Sequence, residues 1–227
     1  MKVSAIIVAA GQGSRIGGEL PKQFQHLNDK PLLYYTINKF EKCNLVDEIV
    51  LIVSEKWLDY TRTNFLTEFS FAKVSKVISG GRERRDSVYN GLLALKNTDI
   101  VLVHDAVRPF VRVNSIEQTI LACREFGAVI LAIPSRDTIK TEENGFVKET
   151  VDRKLYWLVQ TPQTFKYELL LDAYRQAYKK SLYGTDESAL VEAAGYPVKI
   201  VEGDFENIKI TFPTDFKLAK ILLEEGK

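Results

Sequence analysis

Residues 9–15 read Ala9-Ala10-Gly11-Gln12-Gly13-Ser14-Arg15. Two glycines leave backbone N–H groups open to a close-lying anion, and the arginine adds a charged donor fork. Lys22 follows behind Pro21, so two cations flank one loop. Such a loop suits the triphosphate of a nucleotide under attack; an ordinary strand-to-helix turn with an exposed arginine is the competing reading. A dinucleotide fingerprint needs a third glycine where Ile16 stands, and a Walker loop needs Gly-Lys-Ser/Thr. Neither motif fits here.

Four further clusters carry residue types that can do chemistry. In Gly80-Gly81-Arg82-Glu83-Arg84-Arg85-Asp86-Ser87 the glycines permit close approach to a base or ribose, and Ser87 at a helix start can bond a base edge. A surface turn capped by Asp86 is the alternative. His104-Asp105-Ala106-Val107-Arg108-Pro109 pairs a carboxylate with an arginine, suited to a metal-phosphate complex or a second substrate, or simply to an ion pair. Asp137-Thr138 and Asp152-Arg153 would meet at the base of a hairpin and offer a phosphate-monoester site, unless they are only solvated arm charges. Alternation in Asn207-Ile208-Lys209-Ile210-Thr211 puts Asn207, Lys209 and Thr211 on one strand face, which any edge strand would also show.

The elements that must position these groups alternate. Apolar runs at 3–10, 48–53, 74–78, 100–104 and 129–133 read as strands, and their near-continuous hydrophobicity is what parallel strands covered on both faces require. Helical patterns fall between them at 32–40 behind Pro31, at 56–65, at 86–95, and at 115–126 behind the cap candidate Asn114. Repetition of this kind predicts an α/β fold with a doubly wound, mostly parallel sheet and its ligand at the carboxyl ends of the strands. The rhythm breaks at Ser135, where alternating residues surround Asn144-Gly145, the strongest short-range hairpin signal. A lone two-stranded ribbon is marginal in water, so this β-hairpin arm, at about 136–153, is expected to rest on the partner of a homodimer. Helices at 167–178 and 187–194, strands at 197–201 and 208–210, and a final helix from Pro213 complete the pattern.

With 227 residues the chain can bury one sizeable core, and a single domain spanning 1–227 is expected. Lys plus Arg number 31 against 30 Asp plus Glu, so no broad field draws nucleic acid or anionic lipid, and a small-molecule partner is favoured. No run approaches the roughly 20 apolar residues of a membrane helix, and a strand pattern begins at Val3; the expectation is a cytoplasmic protein with no membrane partner. Cys43 and Cys123 lack CxxC spacing and read as reduced core thiols.

Taken in order, several motifs resemble the cytidylyltransferases that act on polyol phosphates, the 2-C-methyl-D-erythritol 4-phosphate cytidylyltransferase family. They are the loop 9–15, Pro21-Lys22-Gln23-Phe24, Gly81-Arg82-Glu83-Arg84 with Asp86-Ser87-Val88, Val103 to Pro109, Asp137-Thr138, Thr161-Pro162-Gln163, Thr185-Asp186-Glu187 and Asn207-Ile208-Lys209. The likeness covers nearly the whole chain, and the ordered set is far more specific than any one motif. Arg82 stands where an acidic residue is frequent, Ile16 where methionine is frequent, and Val107 where a small residue is frequent.

The resemblance implies magnesium-dependent transfer of a cytidylyl group from CTP to methylerythritol phosphate, in the non-mevalonate route to isoprenoids. It implies that Ala9, Ala10, Gly11, Gly13, Gly81 and Ser87 hold the nucleotide, with Ala106 near the ribose. Arg15 and Lys22 would line the triphosphate, and Lys209 would bridge the attacking phosphate and the α-phosphate. Asp105, Arg108, Thr138, Arg153, Thr161 and Thr185 would bind the polyol phosphate, with Thr138 and Arg153 reaching in from a partner's arm. Magnesium would be held mainly by phosphates, with Asp105 as the candidate protein ligand. Ribitol 5-phosphate is the alternative substrate, which the run Asp152-Arg153-Lys154-Leu155-Tyr156-Trp157 disfavours. A dinucleotide-dependent oxidoreductase and a catalytically silent nucleotide-binding protein are the readings from other classes. The first lacks the third glycine, and the second would be expected to lose Arg15, Lys22 and Lys209. The chemistry fits without the resemblance: a phosphate monoester is already nucleophilic at neutral pH, so the task is to bring one anion onto another, which cations perform.

Overall fold

The computed structural model describes residues 1–11 and 20–225. Gly13 and Arg15 therefore lie outside the described residues. A seven-stranded sheet forms the centre, in the order β11(Lys199–Glu202), β7(Ala128–Pro134), β10(Trp157–Lys166), β6(Ile100–Asp105), β1(Val3–Ala9), β4(Glu48–Val53), β5(Val74–Ser79). All neighbours pair in parallel except β10, which runs antiparallel to both β6 and β7. The doubly wound, mostly parallel α/β sheet expected from the alternating pattern is the fold observed.

Burial on both faces explains the unbroken apolar strands. On β1, Ala5, Ile7 and Ala9 enter one core with α1(Leu32–Glu41) and α5(Val113–Phe126), while Ile6 joins Val50 and Ile52 under α4(Arg84–Ala94), α6(Tyr167–Lys179) and α7(Glu187–Ala193). Each buried isoleucine or valine among them contributes about 1.5–3 kcal/mol. A smaller cluster of Leu27, Leu32, Val107, Phe110, Ile210, Ala219 and Leu222 seats α8(Pro213–Glu224). Cys43 and Cys123 are free and buried, as the core-thiol reading expected. A short antiparallel pair, β2(His26–Leu27) and β3(Lys30–Pro31), leads into α1.

Four differences from the sequence reading have physical causes. First, the strand β10 was not expected, because its middle carries Gln160, Thr161, Gln163 and Thr164, all buried and hydrogen-bonded. Second, the helix expected at 56–65 is a broken stretch: a 3-10 turn at Glu55–Trp57, α2(Leu58–Tyr60), a π turn at Thr61–Phe65, and α3(Leu66–Glu68). Thr61 Oγ1 donates to the Trp57 carbonyl at 2.6 Å and Thr63 Oγ1 to that of Asp59 at 2.8 Å, competing with regular helix bonding. Third, residues 208–210 form no strand. Ile210 N–H reaches Val107 O at 2.9 Å, but Ile208 N–H turns to Glu206 and Thr211 N–H to the Asp215 carboxylate. Asn207 is consequently buried rather than sharing an exposed face with Lys209. Fourth, Arg112, not Asn114, occupies the cap position of α5.

The arm is present as β8(Lys140–Glu143) and β9(Phe146–Thr150). Asn144 (φ 54°) and Gly145 (φ 84°) turn it, both left-handed as a tight hairpin turn demands.

Candidate active site

Four parallel strands end on one edge of the sheet, and their termini line a cavity of about 760 Å³. β1 ends at Ala9 and leads into Ala10 and Gly11; β5 leads into Gly80 and Gly81; β6 ends at Asp105 and leads into Ala106; Ser87 and Arg84 enter from α4, Lys22 from a 3-10 turn and Lys209 from a loop. Thus nine residues singled out from sequence converge: Ala9, Ala10, Gly11, Lys22, Gly81, Ser87, Asp105, Ala106 and Lys209.

The backbone side of the cavity is braced by its own side chains. Gln23 Nε2 donates to the carbonyls of Ala9 at 2.6 Å and Gly11 at 3.1 Å, holding the exit of β1. Ser87 Oγ accepts from Gly81 N–H at 3.0 Å and donates to Glu83 O at 3.0 Å. Its hydroxyl therefore shapes the glycine turn in this structure. Crowding explains the glycines: a Cβ on Gly80 would lie 2.6 Å from Ala10 Cβ and 2.8 Å from Ser87 Oγ. Glu83 caps α4, with Asp86 at the third helical position completing a capping box, so Asp86 is not itself the cap.

Lys22 sits on a 3-10 turn, Lys22–Phe24, opened by Pro21. Phe24 anchors that turn among Trp57, Tyr60 and Phe65, with ring centroids 5.5, 5.2 and 6.0 Å away. Lys22 Nζ donates to Ile210 O at 2.9 Å, tying two distant segments together beside Lys209.

Charge gathers on Asp105. Lys209 Nζ lies 2.8 Å and Arg108 Nε 3.6 Å from Oδ2, and Arg84 Nε lies 3.4 Å from Oδ1. Burial by itself would raise the Asp105 carboxyl, but Arg84 and Lys209, with Arg108 behind them, outweigh it and hold the group well below the usual carboxylate range. Arg84 is fixed in turn by Glu187, which accepts its Nη1 and Nη2 at 2.6 and 3.0 Å.

Beneath Asp105 lies a buried relay. His104 Nε2–H donates to Arg108 O at 3.1 Å, since a carbonyl can only accept; Nδ1 then accepts from the Thr161 hydroxyl at 3.0 Å, and Thr161 Oγ1 accepts Asp105 N–H at 3.1 Å. Burial lowers the imidazole from its ordinary 6.5 to about 4, so it stays neutral.

Not every expected residue faces the cavity. Arg108 points its guanidinium at Asp105 and Asn207 O, 2.7 Å away, behind the lining. Thr161 is buried with its proton given to His104. Thr185 is exposed just before Asp186, the cap of α7. Thr138 and Arg153 are exposed at the base of the arm, where Arg153 Nη1 donates to Arg136 O at 2.7 Å. Sequence reasoning assigned no role to Gln23, Arg84, His104 or Glu187, although each sits inside a quoted motif beside a residue that was assigned one.

The family model described as IspD, 2-C-methyl-D-erythritol 4-phosphate cytidylyltransferase, matches residues 3–225. The enzyme of that name from Clostridioides difficile is 46% identical over 99% of this chain and 94% of its own length. That of Caldanaerobacter subterraneus is 41% identical over 99% and 100%. Among solved structures, the 4-diphosphocytidyl-2C-methyl-D-erythritol synthase of Anaerococcus prevotii superposes with a TM-score of 0.87 at 30% identity, covering 98% of this chain and 96% of that one. The Thermus thermophilus cytidylyltransferase gives 0.81 at 32%, covering 99% and 100%. The chain belongs to the 2-C-methyl-D-erythritol 4-phosphate cytidylyltransferase family.

Proposed function

We propose that this chain transfers the cytidylyl group of CTP to the phosphate of 2-C-methyl-D-erythritol 4-phosphate and releases pyrophosphate. The observation that carries the reading is the convergence, in one cavity, of a crowded glycine backbone with Lys22, Lys209 and a multiply paired Asp105. A phosphate-monoester oxygen attacks the α-phosphorus, the bond from that phosphorus to the bridging oxygen breaks, and the electron pair leaves with pyrophosphate. No general base is needed; cations must lower the repulsion between two anions.

In this reading Ala9, Ala10, Gly11, Gly13, Gly81 and Ser87 hold the nucleotide and Ala106 faces the ribose. Arg15 and Lys22 take the triphosphate, and Lys209 spans the attacking and α-phosphates. Asp105, Arg108, Thr161 and Thr185 bind the polyol phosphate. Thr161 donates its hydroxyl to His104 and accepts Asp105 N–H, so its part at that site is to hold Asp105 in place from behind.

Magnesium supplies charge neutralisation when it is bound to the triphosphate. Among the described residues no group of three His, Cys, Asp or Glu could cage it, and both Asp105 oxygens already face cations. We therefore assign the ion to the phosphates and no side chain to it. No helix among the described residues is long and apolar enough to cross a membrane, and we place the enzyme in the cytoplasm because both substrates are charged soluble metabolites.

We further propose a homodimer. Phe146, Val147, Leu155 and Leu158 are more than half exposed on or beside the arm, an apolar surface that a second copy would cover. The partner's Thr138 and the partner's Arg153 would then complete the polyol site.

Pyrophosphate release from CTP and magnesium with either methylerythritol phosphate or ribitol 5-phosphate tests the reaction. Turnover with the first and little with the second is expected; the reverse preference overturns the substrate. For the shared site, an Arg153→Ala subunit is paired with a Lys22→Ala subunit. About half the wild-type activity per dimer should return in the heterodimer, and no rescue would place Arg153 in its own subunit's site or none.

A further inference from the structure

Arg84 is a cation in the cavity that the reaction scheme does not use. It opens α4 and lines the cavity, yet its donor fork is turned away from that space toward α7. Glu187 takes the fork in a bidentate grip at 2.6 and 3.0 Å. That carboxylate is only 1% exposed, and its Oε1 also accepts the hydroxyl of Tyr174, fully buried on α6, at 3.2 Å. The start of α7 is locked to β10 as well. Gln163 Nε2 donates to Asp186 Oδ2 at 2.8 Å, and Gln163 Oε1 accepts Ser188 N–H at 2.9 Å. Three elements therefore fix one guanidinium, and its remaining Nε faces Asp105 Oδ1 at 3.4 Å.

The other face of Asp105 is held differently. Lys209 reaches Oδ2 at 2.8 Å from a loop, with a side chain 44% exposed. A lysine that bridges two phosphates during the reaction turns donors from this carboxylate to phosphate. Arg108 Nε would remain 3.6 Å from Oδ2, while Arg84 is the cation that faces the other oxygen, Oδ1; without it that oxygen would lose its charge partner in a buried position and the carboxylate could turn.

We propose that Arg84, pinned by Glu187 and Tyr174, is a positioning residue: it holds Asp105 in its substrate-binding orientation while Lys209 exchanges the carboxylate for phosphate. The role rests on Asp105 binding the polyol phosphate. Arg84 touches neither reacting atom, so its loss should be felt at one substrate and not the other.

The test is a split of the two Michaelis constants. In Arg84→Gln, KM for the polyol phosphate should rise roughly ten- to a hundredfold, as expected when a binding group is misplaced by about an ångström, while KM for CTP stays within about threefold. Arg84→Lys keeps the charge but cannot grip Glu187 with two donors and still reach Asp105, so it should not restore the polyol KM. Tyr174→Phe removes one hydroxyl from the support and should shift the polyol KM about two- to threefold in the same direction. This last variant, with Glu187→Gln, keeps the measurement open where Arg84→Gln fails to fold. Equal rises in both KM values, a fall in turnover alone with both KM values fixed, or full rescue by lysine would each overturn the role. Wild-type pyrophosphate release in the same assay reports on the transfer reaction by itself, and the variant-to-wild-type ratio reports on Arg84.

Discussion

The two ends of the cavity are built on opposite principles. At the nucleotide end, recognition groups belong to backbone: Ala9 to Gly11 and Gly80 to Gly81 line the cavity, and at Gly80 and Gly81 the neighbours Ala10, Ser87 and Asp86 leave no room for a side chain. At the Asp105 end, side-chain charges do the work, and their positions depend on residues from β6, α4, α7 and the loop at Lys209. The first end is rigid through sterics. The second is rigid only as long as its ion pairs are complete, so the two should fail in different ways when altered.

The largest difference should appear on removing charge. Lys22→Ala or Lys209→Ala should lower turnover by about 10²–10³-fold, the usual cost of losing one preorganised charged donor, with the thermal midpoint nearly unchanged for Lys22→Ala and lowered for Lys209→Ala, which strips a cation from buried Asp105; steady-state pyrophosphate release and a melting curve check both. Near-normal turnover in either variant would remove that lysine from the reaction.

Acid should loosen the Asp105 end before the nucleotide end. His104 is neutral when folded and titrates at about 4, against an ordinary 6.5. Between those values the unfolded chain binds a proton that the folded chain does not, so stability falls as pH drops through that window, by about 3 kcal/mol in all. Asp105 adds loss in the same direction below the ordinary carboxylate range, because its folded form resists protonation. Melting curves from pH 7 to 4 should show the decline, and a His104→Gln variant, less stable at neutral pH, should show a flatter one.

Steric change should strike the nucleotide end alone. Gly80→Ala pushes a methyl into Ala10 and Ser87, and overpacking of this kind costs about 1–3 kcal/mol. KM for CTP should rise with little change for the polyol phosphate; the opposite split would exchange the two ends. Ser87→Ala is the mildest test. It leaves the Gly81 N–H without its acceptor, a loss of about 1 kcal/mol, and should weaken CTP binding several-fold in a titration while preserving the fold.

What was legible in the chain follows this division. The backbone end could be read because glycines and a strand-to-loop transition are local features, and the parallel strands because burial on both faces leaves unbroken apolar runs. The hairpin was equally plain, since Asn144-Gly145 is a turn chosen by its own backbone preferences. β10 was hidden because Gln160, Thr161, Gln163 and Thr164 are buried with partners far away in sequence, such as Asp204, His104, Asp186 and Thr119. The supposed strand at 208–210 failed for a related reason: alternation alone cannot say whether a neighbouring strand offers its edge.

The sequence by itself determined the layered α/β architecture, the glycine loops and the residue types available at the strand ends, because these depend on periodicity and local conformational cost. Only the tertiary structure decided which charges meet. Arg84 and Glu187 are separated by 103 positions, and Thr161 and His104 by 57. An ion pair or relay between groups so remote exists only once packing of α4, α6 and α7 against the sheet has excluded water and fixed their separation.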